Sequence, residues 1–270
     1  MPTKSMLKKI VLLSQDNYNE LKNANTLDSD VLYLTSVHDN DSGGGDAIPS
    51  AYKYMPIYKN ASFYYDTRFQ QDSFLLDLSG KNPVVSIVGN VIFDLNHTRF
   101  NANSYAIVKS SFCKTFYCVA RNSTVGWRIF LSNGDVAAGG SANKSFWIGI
   151  DDVGSYVAGA SGGNSIRNTI DGRQYHVVAA TRESDSYSFF INGNLIGSKK
   201  CEDFAATFDG NIGIGTLLRN KTATFMTGSS DIRFCTGFQT IHSHAEIQTN
   251  SAFLKSEYID NFVHNKYMKG

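Results

Sequence analysis

Two carboxylates on one face, one of them shielded from water, would make a hydrolytic pair. The chain holds five glutamates: Glu20, Glu183, Glu202, Glu246 and Glu257. None begins an E-x-D-x-x-E strand motif. Glu183-Ser184-Asp185 comes nearest, and position 188 is Ser. That stretch falls in a polar turn, where neither carboxyl is desolvated enough to act as an acid at neutral pH. G-x-S-x-G, H-E-x-x-H and phosphate-binding glycine loops do not occur. His176 lies on an apolar strand and reads as a hydrogen-bonded core histidine, while His242 and His244 flank a helix start and read as solvated. No residue is therefore assigned a catalytic role.

Binding chemistry is better represented. A sugar is held by an aromatic platform on its C–H faces and by polar side chains on its hydroxyls, sometimes with Ca2+. Trp147 alternates with Phe146, Ile148 and Ile150. If those three face the core, the indole faces outward or into a groove. Trp127 shares a strand face with Ile129 and Leu131 and reads as core, with Arg128 and Phe130 outward. The segment Gly154–Asp171 is rich in Gly, Ser and Asn and carries Tyr156, Arg167 and Asn168. It reads as an exposed loop with groove chemistry, the plain alternative being a simple connection. Asp151 and Asp152 are the candidate Ca2+ ligands. Asp39, Asp41 and Asp46 lie in a glycine-rich linker and lack the twelfth-position Glu of an EF-hand loop. Cys113, Cys118, Cys201 and Cys235 form no C-x-x-C pair and read as reduced thiols in strands.

The 25 Lys+Arg balance 24 Asp+Glu, so bulk charge does not point to nucleic acid. The apolar run Ile10–Leu13 is too short for a signal-peptide core or a membrane span, and no membrane insertion is expected. With 270 residues, 23 Gly and 13% aromatics, one large all-β domain plus a small module fits best.

The elements that must position these residues centre on Tyr175–Ser198. Tyr175–Thr181 is a strand apolar on both faces, so both faces should be covered. Tyr187, Phe189 and Ile191 share one face of the next strand. Asn192-Gly193 then supplies the two positive-φ positions of a type I′ hairpin turn. This stretch resembles the W-H-H-V-A-A-T and V-N-G-x-x-V-G strands of the concanavalin A-like, laminin-G-like jelly rolls. Tyr175 stands at the Trp position. Further resemblances run in the same order: Ser62–Asp66, Phe74–Gly80, Phe100–Val108, Thr115–Ala120, Ile212–Gly215 and Gly228–Phe234. Cys118 stands where the family has Trp. The resemblance implies an all-β, two-sheet antiparallel jelly-roll sandwich over residues 62–250. Ser243–Glu246 spells a capping box, and Leu254, Tyr258 and Phe262 form one stripe of a helix over 251–270 that docks on it.

Residues 1–36 resemble a module common in tail and fibre proteins of tailed bacteriophages. A strand at Ile10–Leu13, a helix with Tyr18 and Leu21, and a strand with Leu32, Tyr33 and Leu34 carry that resemblance. An ordinary β-α-β start is the alternative. Residues 37–61, with Gly43-Gly44-Gly45, read as a linker. Together these resemblances imply a non-enzymatic structural or adhesive virion protein that presents a lectin-like domain to a glycan. Its partners would be other virion proteins and its own copies, with a trimer implied by the resemblance alone. A bacterial carbohydrate-binding module outside a phage is the second reading, and a glycan-cleaving enzyme the third.

Overall fold

The computed structural model describes residues 9–14, 31–36, 57–69, 79, 85–94, 96–135, 145–160, 165–201, 208–219, 222–223 and 226–262. β1 (Lys9–Ser14) and β2 (Val31–Ser36) pair in parallel, Ile10 beside Leu32 and Val11 beside Tyr33. The helix expected between them, with Tyr18 and Leu21, lies outside the described residues. β3 (Phe63–Asp66) runs into a 3-10 turn at Thr67–Phe69. Four short strands follow: β4 (Val85–Val88), β5 (Val91–Asp94), β6 (His97–Phe100) and β7 (Tyr105–Lys109). β8 (Thr115–Asn122) and β9 (Arg128–Asp135) are longer. Next come β10 (Trp147–Ile150), β11 (Tyr156–Gly159) and β12 (Ser165–Asn168). β13 (His176–Arg182), β14 (Ser186–Ile191) and β15 (Asn194–Lys200) form a meander. β16 (Phe208–Ile214), the minor pair β17 (Leu218–Arg219) and β18 (Thr222–Ala223), and β19 (Ser230–Phe238) complete the strands. Helix α1 (His244–Lys255) continues into one π-helical turn, Ser256–Asp260.

The body is a sandwich of two antiparallel sheets, as the sequence predicts. One has seven strands in the order β12-β11-β10-β9-β16-β7-β4. The other has the order β15-β14-β13-β8-β19-β6-β5, with β3 beside the second half of β19. Between the sheets lies a core that includes Phe116, Phe130, Phe146, Ile148, Tyr156, Val178 and Phe189. β13 is buried on both faces: Val178 and Ala180 enter this core, while Val177 and Ala179 lie under α1. Tyr187, Phe189 and Ile191 share the inner face of β14. Asn192 (φ 50°) and Gly193 (φ 82°) make the hairpin turn. α1 begins with the Ser243–Glu246 capping box, and Ile247, Leu254 and Tyr258 bury its inner stripe.

Several readings are corrected by the register. Trp127 and Ile129 pack on the outer face of the seven-stranded sheet, whereas Leu131 faces inward. The cause is a bulge: Ile148 pairs with Leu131 and Gly149 with Ile129, leaving Phe130 extra. Arg128, expected outward, is buried and donates to the carbonyls of Asn101, Gly228 and Ser104. Gly154–Asp171 is not a loop throughout, since it contains β11, wholly buried, and β12. Phe100–Val108 is not one strand, because a turn at residues 101–104 separates β6 from β7 in the opposite sheet. The expected linker ends early: Ile57, Tyr58 and Ala61 are buried in the cluster beneath α1. Residues 37–56, and most of Phe74–Gly80, lie outside the described residues. None of the four cysteines is in a disulfide. Among the described residues no helix is long and apolar enough to cross a membrane.

Candidate functional site

Strand direction gathers three connections at one end of the sandwich. They join β8 to β9, β10 to β11 and β12 to β13. Between them lies a cleft of about 780 Å³, whose lining includes Arg99, Arg121, Val125, Val153, Ile170 and Arg173.

Short polar residues fold these connections. Asp151 Oδ1 accepts the amides of Val153 (3.1 Å) and Ser155 (2.9 Å). Asn168 Oδ1 accepts the Ile170 amide at 2.9 Å, and Asp171 Oδ1 the Arg173 amide at 3.0 Å. These are Asx turns, in which a side chain takes over the work of a main-chain acceptor. Each one presents its third residue, Val153, Ile170 or Arg173, to the cleft. The Asn122 amide donates to Gly172 O at 2.7 Å and so ties two of the connections together. A Cβ on Gly172 would stand 2.3 Å from Gly154 O, so only glycine lets the loops approach this closely. Val125 and Val153 are 71% and 77% exposed at the loop tips.

The cationic wall is built on Asp231, whose side chain is fully buried. Arg99 donates to it through Nε (2.7 Å) and Nη2 (3.1 Å), and Arg121 through Nε at 3.0 Å. His97 Nε2 lies 3.3 Å away. Burial alone would raise the Asp231 carboxyl, but Arg99, His97 and Arg121 outweigh it and hold it below the ordinary carboxylate value. Tyr175 lies between the guanidinium groups of Arg121 (4.7 Å to the ring centroid) and Arg233 (3.9 Å). Arg233 reaches that position through a bulge. Ile232 pairs with Ala120 and Phe234 with Val119, so Arg233 is the extra residue.

Acid should weaken the fold. Burial lowers the values of His97, His176 and His242, so each folds neutral. The unfolded chain binds these protons first, so stability falls as pH drops below about 6.5, the ordinary histidine value. Asp231 has a depressed value, and its contribution is lost below about 3.9. Urea midpoints measured from pH 8 to pH 4 should decline in this direction. A midpoint unchanged between pH 7 and pH 5 would exclude the histidine part.

The residues singled out from sequence are only partly brought together. Trp147 does face away from the inner core, but it is 7% exposed under Trp127, Leu217 and Met226. Its ring lies on Gly159, where a Cβ would be 2.3 Å from Cζ2, so it offers no open platform. Tyr156 is buried between the sheets, with its hydroxyl 2.8 Å from the carbonyl oxygens of Ala120 and Gln174. Arg167 is exposed, with Nε 3.5 Å from Asp151 Oδ2 and its guanidinium 5.9 Å from the Trp127 ring centroid. Asn168 organises a turn rather than lining the cleft. Asp151 is buried and its Oδ1 holds two amides, whereas Asp152 is exposed. Among the described residues no three His, Cys, Asp or Glu side chains cluster to hold a metal ion. Leu32, Tyr33 and Leu34 lie on β2 against Ile10, Val11 and Leu12.

Three of the five glutamates fall among the described residues, and they lie apart from the cleft. Glu183 is exposed, Glu246 caps α1 and Glu257 pairs with Arg68 at 3.0 Å. Glu20 and Glu202 lie outside the described residues. Among the described residues, Asp171 is the one carboxylate lining the cleft. Sequence reasoning missed Arg99, Arg121, Val125, Val153, Ile170 and Arg173. The repeated Asx spacing at Asp151, Asn168 and Asp171 was the available signal.

No family model and no curated protein sequence matches the chain. Its fold is similar to that of solved botulinum neurotoxin structures. One is of type C, whose cell entry depends on interaction with two ganglioside molecules; it aligns at TM-score 0.52 and 18% identity over 73% of this chain and 52% of that one. The binding domain of neurotoxin DC in complex with SialylT aligns at TM-score 0.51 and 17% identity, with the same coverage. The same domain in complex with rat synaptotagmin II aligns at TM-score 0.52 and 17% identity. This chain spans about half the length of each, and at these identities the likeness is one of fold.

Proposed function

We propose that the chain is a non-enzymatic, lectin-like recognition protein of a tailed-bacteriophage virion, and that the three-loop cleft is its saccharide site. The observation that carries the recognition role is the cleft itself. Asx turns hold its loops, hydroxyl and amide side chains line it beside exposed aliphatic tips, and Asp171 is the one acid among its described lining residues. Polar groups that bond sugar hydroxyls and apolar groups that cover C–H faces are what a saccharide requires. The solved neurotoxin structures of similar fold include one whose entry depends on gangliosides, which favours a glycan ligand.

The virion role rests on residues 1–36 and their likeness to phage tail and fibre modules. A two-stranded pair such as β1–β2 buries too little to stand alone, so a virion partner or other copies of the chain would complete it. A glycan array on the whole chain and immuno-electron microscopy of purified virions test the two parts separately. Deleting residues 1–36 should leave the sandwich folded and abolish incorporation. Normal incorporation of the truncated protein would overturn the attachment role.

A further inference from the structure

Resting on that reading, we infer that the cleft selects acidic saccharides, gripping a sugar carboxylate through Arg173 and the Arg99–Arg121 pair. Three guanidinium groups line the cleft against one carboxylate, Asp171. The wall is fixed in advance. Arg99 and Arg121 are anchored through Nε and Nη2 to a single buried carboxylate, Asp231, so two guanidinium groups share one buried negative charge. Their side chains remain 35% and 36% exposed, and among the described residues Nη1 of each has no hydrogen-bond acceptor. Guanidinium groups held in this way bind a carboxylate without losing further side-chain freedom.

Arg173 supplies the second cationic point from the β12–β13 connection. It is exposed, and among the described residues its guanidinium has no hydrogen-bond or ion-pair partner. Its main chain is fixed by Asp171, whose Oδ1 accepts the Arg173 amide. Val125, Val153 and Ile170 add an apolar rim suited to the C–H face of the ring that bears the carboxylate, or of its neighbour. The geometry therefore asks for a negative charge and a pyranose face within one or two sugar units.

Titration calorimetry on the full chain tests this with matched oligosaccharides. The probes end in a sialic acid, in a hexuronate, in a phosphorylated hexose or in the corresponding neutral hexose. The carboxylate sugars should bind at least tenfold more tightly than the neutral ones, with affinity falling as salt rises. Arg173→Gln should remove most of that preference while leaving the urea midpoint unchanged. Val153→Ser should weaken acidic and neutral sugars alike. Equal binding of neutral and acidic sugars would overturn the inference and leave the saccharide reading standing. Preference for the phosphorylated hexose alone would overturn the carboxylate assignment. Binding to no sugar, or only to anionic phospholipid vesicles, would overturn both.

Discussion

Arg68→Ala should lower folding stability by about 3–5 kcal/mol, the usual cost of stripping one partner from a buried ion pair. Arg68 is fully buried beside Asp66, its Nη2 2.9 Å from Oδ2. The same nitrogen donates to the hydroxyls of Tyr58 (3.1 Å) and Tyr258, and Tyr258 donates to Asp66. The guanidinium also lies 4.1 Å from the Tyr258 ring centroid. Removing it leaves the Asp66 carboxylate inside the protein without its cation. One network thereby joins the end of β3 to the turn after α1, so the loss should be felt in both segments. Urea unfolding followed by tryptophan fluorescence reads the effect as a lowered midpoint. Glu257→Gln is the control. That carboxylate is 18% exposed and accepts from Nη1, away from the Nη2 that serves Asp66, so the change should cost less than half as much. Equal losses from the two variants would show that the burial of Asp66 is not the source of the penalty.

Gly193→Val should cost about 3 kcal/mol through two additive causes, backbone strain and overpacking. Gly193 has φ 82°, a region that a β-branched residue avoids. A Cβ there would also lie 3.2 Å from Gln248 Cα, in the middle of α1. Gly210 separates the two causes. Its φ is 79°, yet a Cβ would meet nothing within 4 Å. Gly210→Val therefore reports strain alone, and the difference between the variants reports the pressure on α1. If both lose the same stability, the contact between hairpin and helix contributes nothing.

What could be read from the sequence was local. The stripe Tyr187, Phe189 and Ile191, the Asn192-Gly193 turn and the Ser243–Glu246 cap each depend on residues a few positions apart. Their physics is complete within the segment, and the structure contains all three. What escaped depends on register between distant strands. The Phe130 bulge moves Trp127 and Ile129 to the outer face, and the Arg233 bulge places that side chain on Tyr175. Period-2 alternation is blind to an inserted residue. The cleft escaped for the same reason. Arg99, Arg121 and Arg173 share one cleft only because β6 and β8 end, and β13 begins, at the same end of one sheet. Trp147 drew attention as an aromatic facing outward, but alternation cannot tell that Leu217 and Met226 cover it.

The sides of the sandwich carry a consequence for life in a crowd. Gly89 and Asn90 carry the chain directly from β4, at the margin of one sheet, to β5, at the margin of the other. On the opposite side Lys199, on β15, donates to Ser165 O at 2.7 Å, clasping β12. β15 also carries Lys200 on its exposed surface. A short turn on one flank and lysines on the other are devices that keep a bare strand from recruiting a stranger. Copies arrayed side by side at high density would then stay separate domains rather than fuse into a continuous fibril.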